Sequence, residues 1–576
     1  MEHILMTNYH ATFFANQLTL RRPADDPEKL STTLMDAQVD LNPHQIEAAL
    51  FAFQSPLSQG AILADEVGLG KTIEAGIVLS QKWAEGKRKL LIIGPSSLRK
   101  QWAQELQEKF FLPSVVLESK TFRELQKKGV RNPFEQEQIV ICSYHFARNK
   151  ADFLALRTWD LVVIDEAHRL RNVYKTSNRI GKAIKEATSL APKLLLTATP
   201  LQNSLMELYG LVSLIDEHIF GDVKSFRSQF ARLTGEDDFD ELKGRLAPIC
   251  KRNLRRQVQE YINYTNRIPL TVKFEPTDDE QALYQMVTEF LQQDLLFALP
   301  ASQRHLLTLI LRKLLASSTY AIAGTLEKLI ARLQKLLDRQ PEMTQELLHA
   351  VEEEFESYGE LTEEWEGEEG EDELPLLSPI EIERLKRELE ELRAFHELAL
   401  SITHNAKGIR LVKALDQGFD KMKELGAAQK AIIFTESSRT QRYLFDMLSR
   451  EGYEGKILMF NGQNNDATSK AIYQQWQTDN ADSDRVTGVR AVDMRAALVD
   501  HFRNEAQIMI ATEAASEGIN LQFCSLLINY DLPWNPQRIE QRIGRCHRYG
   551  QKFDVVVVNF LNTKNAADQR VFQILD

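Results

Sequence analysis

Apolar and polar positions come in alternating blocks along two long stretches of the chain. From about residue 40 to 275, short apolar runs rich in β-branched residues are each followed by a longer amphipathic stretch. The runs are Ala61-Ile62-Leu63-Ala64, Leu90-Leu91-Ile92-Ile93, Ile139-Val140-Ile141, Leu161-Val162-Val163-Ile164 and Leu194-Leu195-Leu196. Runs of this length with helical stretches between most of them predict buried parallel strands of an α/β sheet. The scheme repeats from 430 to 576 with Ala431-Ile432-Ile433-Phe434, Ile508-Met509-Ile510, Leu526-Leu527-Ile528 and Val555-Val556-Val557-Val558. Two α/β lobes follow from this pattern. Between them, residues 278–350 and 379–400 carry Leu, Glu, Lys, Arg and Gln at helical spacing, which predicts a helical insertion. The predicted division is an N-terminal segment 1–37, a first lobe 38–275, an insertion 276–404 containing an acidic linker 352–374, and a second lobe 405–576.

Charge at first argues against a nucleic-acid partner, because the net value is −12. Its distribution reverses the argument. Residues 352–373 hold 13 Asp and Glu and no Lys or Arg, so the rest of the chain stands at +1. The segment, interrupted by Phe355 and Trp365, reads as a solvated acidic linker or as a docking segment for a basic partner. A basic cluster, Lys251-Arg252-Asn253-Leu254-Arg255-Arg256, reads either as a contact to a phosphodiester backbone or as a solvated helix face.

With 26% charged and 43% hydrophobic residues, the composition is that of a globular chain with room for several domains. Cys142, Cys250, Cys524 and Cys546 form no CxxC pair, which argues against a disulfide framework or zinc site and for a reducing cytosol. No basic region followed by an apolar core opens the chain, and no apolar stretch is long enough for a membrane helix. A cytoplasmic protein without membrane partners is expected. The chain stops at Val571-Phe572-Gln573-Ile574-Leu575-Asp576, which reads as an unfinished helix and predicts that the second lobe is truncated.

The segment Asp65-Glu66-Val67-Gly68-Leu69-Gly70-Lys71-Thr72 follows an apolar strand and opens an amphipathic helix. That is the layout of a nucleotide phosphate cradle. Glycines let backbone N–H groups approach the phosphates, the helix N-terminus adds partial positive charge, Lys71 reaches the β and γ oxygens, and Thr72 offers a hydroxyl to Mg²⁺. Asp65 stands where the strict pattern has its first glycine. A glycine turn between a strand and a helix would look the same.

Asp165-Glu166-Ala167-His168 follows the run Leu161–Ile164. Carboxylates at the C-terminal end of a buried strand face the crevice where open α/β sheets bind ligands. Asp165 is suited to hold Mg²⁺ through its water shell, and Glu166 to orient and deprotonate an attacking water. In isolation the pair could equally be a helix N-cap.

As an ordered set these segments resemble a known family. Asp65–Thr72, Asp165–His168 and Leu196-Thr197-Ala198-Thr199-Pro200-Leu201-Gln202-Asn203 resemble motifs I, II and III of superfamily-two helicases of the DEAH-box kind, and more narrowly of the Swi/Snf-type ATPases. Pro95-Ser96-Ser97-Leu98-Arg99-Lys100-Gln101-Trp102 resembles motif Ia. Ile432–Glu436 resembles motif IV, Ala511–Gln522 motif V, and Gln541–Gln551 motif VI. Valine at 67 and the opening segment Tyr9–Thr19 resemble the bacterial branch, which includes an RNA-polymerase-associated recycling factor and the motors of DNA-defence systems.

The resemblance implies two RecA-like lobes, parallel sheets flanked by helices, with helical protrusions between motifs III and IV. It implies ATP and Mg²⁺ as cofactors and duplex DNA as the track, with RNA polymerase or antiviral-defence subunits as protein partners. It implies Gln45, in Leu41-Asn42-Pro43-His44-Gln45, as a reader of the adenine base. Motif Ia would lie along the nucleic acid, and Gly518 and Gln541 would belong to the nucleotide site. Arg545 and Arg548 would act as arginine fingers, for which a planar, permanently charged fork is chemically suited; the alternative is a solvated basic helix face. Translocation rather than strand separation is the activity expected. A strand-separating helicase and a nucleic-acid-binding scaffold with weak ATPase are the other readings.

Overall fold

A computed structural model describes residues 42–564, apart from 339–377 and the short stretches 55–58, 97, 176–177, 202–203, 231–237, 259–264, 294–295, 301–303, 482–484, 487–489, 514–518, 534–535 and 549. The N-terminal segment, the acidic linker, Gly518 and the chain end after 564 lie outside the described residues. The chain divides into two units, Met1–Val258 and Gln259–Asp576.

The first unit is built on seven parallel strands: β1 Gly60–Leu63, β2 Leu90–Gly94, β3 Ser114–Val116, β4 Ile139–Ser143, β5 Leu161–Asp165, β6 Lys193–Leu196 and β7 Cys250–Lys251, in the order β3-β4-β2-β5-β6-β1-β7. Side chains leave a strand on alternate faces, and both faces here are covered. Ile62, Leu91, Ile93, Val140, Val162 and Ile164 enter one core, and Ala61, Leu63, Leu90, Ile92, Ile141 and Val163 enter another. That is why the strands read as continuous apolar runs.

The second unit holds β8 Arg267–Phe274, β9 Ala431–Thr435, β10 Ile457–Phe460, β11 Ile508–Thr512, β12 Leu526–Asn529 and β13 Val555–Asn562, all parallel, in the order β10-β11-β9-β12-β13-β8. It too has a core on each face, with Ile432 and Phe434 in one and Ala431 and Ile433 in the other. The lobe boundary expected at 275 falls instead between Val258 and Gln259, because β8 pairs along its whole length with β13. As an edge strand with several exposed side chains and a proline at 269, β8 does not read as a buried strand in sequence.

Four helices, Asp278–Leu291, Arg304–Ser317, Thr319–Leu337 and Pro379–Ser401, belong to the second unit and close a separate core around Leu283, Ile310, Leu314, Leu326, Leu333 and Leu392. Ser378 and Glu381 form a capping box at the start of the last of these, each satisfying an orphan donor of the other's end. No described helix is long and apolar enough to cross a membrane.

Candidate active site

Strand register brings three of the sequence segments into a row. Leu63, the last residue of β1, and Asp165, the last of β5, both pair with Leu196 of β6, so the segments that follow them leave adjacent strands at the same C-terminal edge. Thr197 donates its backbone N–H to Leu63 O at 3.1 Å, which ties the third segment to the first.

The loop after β1 curls through Gly68 and Gly70, both left-handed at φ 89° and 96°, a conformation that costs an L side chain and suits glycine. The helix Lys71–Ala84 starts directly on Gly70, which offers no side-chain oxygen to cap its first N–H groups. Lys71 curls back, its Nζ donating to Asp65 O at 2.7 Å. Thr72 is half-buried in the first helical turn. Gln45 is buried against the loop. Its Nε2 donates to Leu69 O at 2.9 Å, its Oε1 accepts from Asn42 N at 3.1 Å, and a Cβ on Gly70 would stand 2.4 Å from its Nε2. Gln45 thus braces the loop, and reading a base would require it to exchange these bonds.

Asp165 is buried. Its Oδ2 accepts from the Trp102 indole N–H at 2.8 Å and its Oδ1 from the Glu166 backbone N–H at 2.9 Å; the Tyr144 hydroxyl donates to its carbonyl. Burial, reinforced by the charge of Glu166, raises its carboxyl to about 7. Glu166 sits in the left-handed region at φ 52°, a strained place for a residue with a side chain and one met at functional sites. Burial would raise its carboxyl, but the hydrogen bond and charge of His168, whose Nδ1 lies 3.3 Å from Oε2, together with Lys71 and Arg169, hold it at about 2. Two adjacent carboxylates so coupled resist ionising together, and the lasting charge belongs to Glu166.

The structure therefore brings Lys71 close enough to act on Asp165 and Glu166, with Thr72 next to Lys71 at the helix start and Gln45 bonded to the loop at Leu69. In the second unit, the helix Pro536–Cys546 carries Gln541 and Arg545, and Arg548 lies just beyond it, its Nε donating to Gly544 O at 2.6 Å. Arg542, between them in sequence, is fully buried. It pairs with Glu513 and donates to Asn529 Oδ1 at 3.1 Å and to Asp531 O at 2.7 Å, so it holds the fold.

The basic cluster 251–256 is only in part a solvated helical face: Arg255–Gln257 form a short 3₁₀ turn on which Arg256 is exposed and Arg255 is buried. Lys251 ends β7, and Asn253 and the buried Arg255 bond to Asp65, Glu66 and Val67. Glu74 was equally unmarked in sequence, though an acid within the apolar run Ile73–Leu79 is a signal. It is fully buried beside Asp65 and His44, with ligand-type atoms of the three within 4.8 Å of one another. Burial, then the charge of Asp65, pushes its carboxyl well above the ordinary range, which favours the neutral form beside Asp65.

Two family models match the chain, the SNF2-related domain over residues 44–330 and the helicase conserved C-terminal domain over residues 413–550. The uncharacterized ATP-dependent helicase YqhH of Bacillus subtilis is 33% identical over 539 residues, covering 92% of this chain and 77% of that protein. The RNA polymerase-associated protein RapA of Serratia proteamaculans is 29% identical, covering 94% of this chain and 50% of that protein, and the chain spans about half the length of the RapA relatives it matches. The SWI2/SNF2 ATPase core of Sulfolobus solfataricus aligns over 94% of this chain and 91% of its own at 19% identity and a TM-score of 0.39. The chain belongs to the SNF2-related family of ATP-dependent helicases. It is a nucleic-acid-dependent ATPase built on two RecA-like lobes.

Proposed function

We propose that the chain is a motor that uses ATP to move along double-stranded DNA without separating the strands. The observation that carries this reading is the row at the edge of the first sheet, where Lys71, the pair Asp165–Glu166 and Thr197 leave neighbouring strands together. Lys71 and the N–H groups that open the helix Lys71–Ala84 bind the phosphate oxygens of ATP. Thr72 and Asp165 are the residues that would hold Mg²⁺. Their hydroxyl and carboxylate oxygens fit a hard divalent ion, and a cation beside Asp165 would favour the ionised form that burial disfavours. Bound there, the metal would neutralise charge on the phosphates.

Glu166 is ionised at neutral pH and orients the attacking water. Its carboxylate oxygens are hydrogen-bond acceptors able to align that water for attack on the γ-phosphorus. Arg545 and Arg548 stabilise the charge developing on the γ-phosphate, and Gly518 and Gln541 complete the nucleotide contacts from the second lobe. Gln45 stands near the base.

RNA polymerase is the protein partner we favour in the cytoplasm, since the RapA relatives are named for that association; a defence complex is the other setting. The deciding measurement is ATP turnover without nucleic acid and then with duplex DNA, single strands and RNA, paired with triplex displacement and tailed-duplex unwinding. Stimulation by duplex with triplex displacement and no unwinding is expected. Efficient unwinding would replace the translocase by a strand-separating helicase, and best stimulation by RNA would overturn the DNA track.

A further inference from the structure

The first three residues of the loop Asp65–Thr72 are gripped by the last segment of the first unit. Asn253 donates its backbone N–H to Asp65 Oδ1 at 2.8 Å and its side-chain amide to Oδ1 and Oδ2 at 3.2 and 3.0 Å, while its carbonyl accepts from Glu66 N at 3.1 Å. Arg255 donates its backbone N–H to Glu66 Oε2 at 2.8 Å. Its guanidinium forks onto Val67 O, Nη2 at 2.6 Å and Nε at 3.2 Å.

These bonds continue the β1–β7 pairing, in which Ile62 N reaches Ile249 O at 2.6 Å and Ala64 N reaches Lys251 O at 2.8 Å, beyond the strands and into the loop. The grip ends at Val67, just before the two left-handed glycines that turn the chain toward the helix. Sheet pairing alone would hold β1. It would not call for a buried arginine whose guanidinium also donates twice to the carbonyl of a loop residue, since burying a charge is costly without hydrogen bonds in return. The grip also accounts for Asp65. A glycine there would offer Asn253 no carboxylate.

We propose that Asn253 and Arg255 are positioning residues of the phosphate loop, holding Asp65–Val67 in the shape that receives the nucleotide so that binding has little ordering left to do. The inference rests on the reading of Asp65–Thr72 as the phosphate loop.

The test is binding of fluorescent ADP and thermal unfolding on the same samples of the full chain, with Lys71→Ala as reference. Asn253→Ala and Arg255→Ala are each expected to weaken ADP binding about tenfold, the scale of a lost hydrogen bond to a charged group. They should raise KM for ATP and leave kcat at saturation within about twofold, as expected for lost binding rather than lost chemistry. Asp65→Ala combined with Asn253→Ala should cost less than the sum of the two single changes, because both remove the bonds from the Asn253 side-chain amide to the Asp65 carboxylate, while the bond from the backbone N–H of residue 253 is lost only with Asp65.

If Lys71→Ala abolishes ADP binding while the Asn253 and Arg255 variants bind normally, whatever their melting temperatures, the grip is structural and the proposal falls though the loop assignment stands. If Lys71→Ala binds ADP normally, the loop assignment falls and takes the proposal with it. Should Arg255→Ala not fold, Arg255→Lys keeps the charge but not the fork. A folded Arg255→Lys protein with affinity lowered about threefold supports the proposal, and unchanged affinity overturns it.

Discussion

At the C-terminal edge of the first sheet, Asp165 is hydrogen-bonded by an indole and a backbone N–H, and its carboxyl is pushed up to about 7. At the same edge of the second sheet three described acids each meet a cation. Glu436, after β9, lies 2.9 Å from Lys313 Nζ, Glu513, after β11, is paired with Arg542, and Asp531, after β12, lies 2.7 Å from Lys407 Nζ. Burial would raise Asp531, but Lys407 and the hydroxyls of Thr435 and Ser317 hold it below the ordinary carboxylate range. Lys313 is supplied by the helix Arg304–Ser317, so the helical insertion provides one of these countercharges. A strand-end carboxylate is therefore not a sign of catalysis in itself. What matters is whether its countercharge is built into the protein or left to a ligand.

The contrast breaks most visibly if Glu166 is neutralised. Glu166→Gln should lower ATP turnover about 10²–10⁴-fold with nucleotide binding retained, the range for a lost general base or water-orienting group; single-turnover hydrolysis and ADP binding check both halves. In the second sheet, neutralisation should unfold rather than inactivate. Lys313→Met leaves Glu436 buried without its cation and should cost about 3–5 kcal/mol in denaturant unfolding, with turnover per folded molecule little changed. A fall in turnover without loss of stability would show that the second edge does chemistry.

Between these lies Trp102→Phe, which removes one hydrogen bond from Asp165. It should raise the Mg²⁺ concentration needed for half-maximal nucleotide binding about tenfold, the scale of a bond to a charged group. The smallest effect is on pH. Asp165 carries a folded-state value raised to about 7, so between its ordinary value of 3.8 and about 7 the native state binds the extra proton. Stability of the nucleotide-free protein should fall as pH rises through that window, and Mg²⁺ affinity should rise with it. Asp165→Asn should flatten the stability slope in melting temperatures measured from pH 4.5 to 7.5.

Strands buried on both faces were legible in sequence because every position had to be apolar: Leu161–Ile164 and Ala431–Phe434 are of this kind. Edge strands were not. β7 is two residues long, and β8 shows solvent several of its side chains and finds its partner far along the chain in β13. The same divide runs through the site. Gly68, Gly70, Lys71 and the pair Asp165–Glu166 sit in local patterns whose chemistry depends on their neighbours in sequence. Asn253 and Arg255 stood in a cluster that read as a nucleic-acid contact or a solvated face, because nothing near them says that they reach a loop 188 residues away. Trp102 was noted with motif Ia, yet its bond to Asp165 spans 63 residues.

By itself the sequence determined that two α/β lobes form and which segments end their strands, since burial on both faces and glycine geometry are local demands. The tertiary structure decided where the first lobe ends, what holds the phosphate loop, and which strand-end acids meet a cation within ion-pair distance. Those outcomes depend on charges and donors meeting through space, as Lys313 meets Glu436 across 123 residues of chain, and Coulomb and desolvation energies follow distance in the fold rather than separation in sequence.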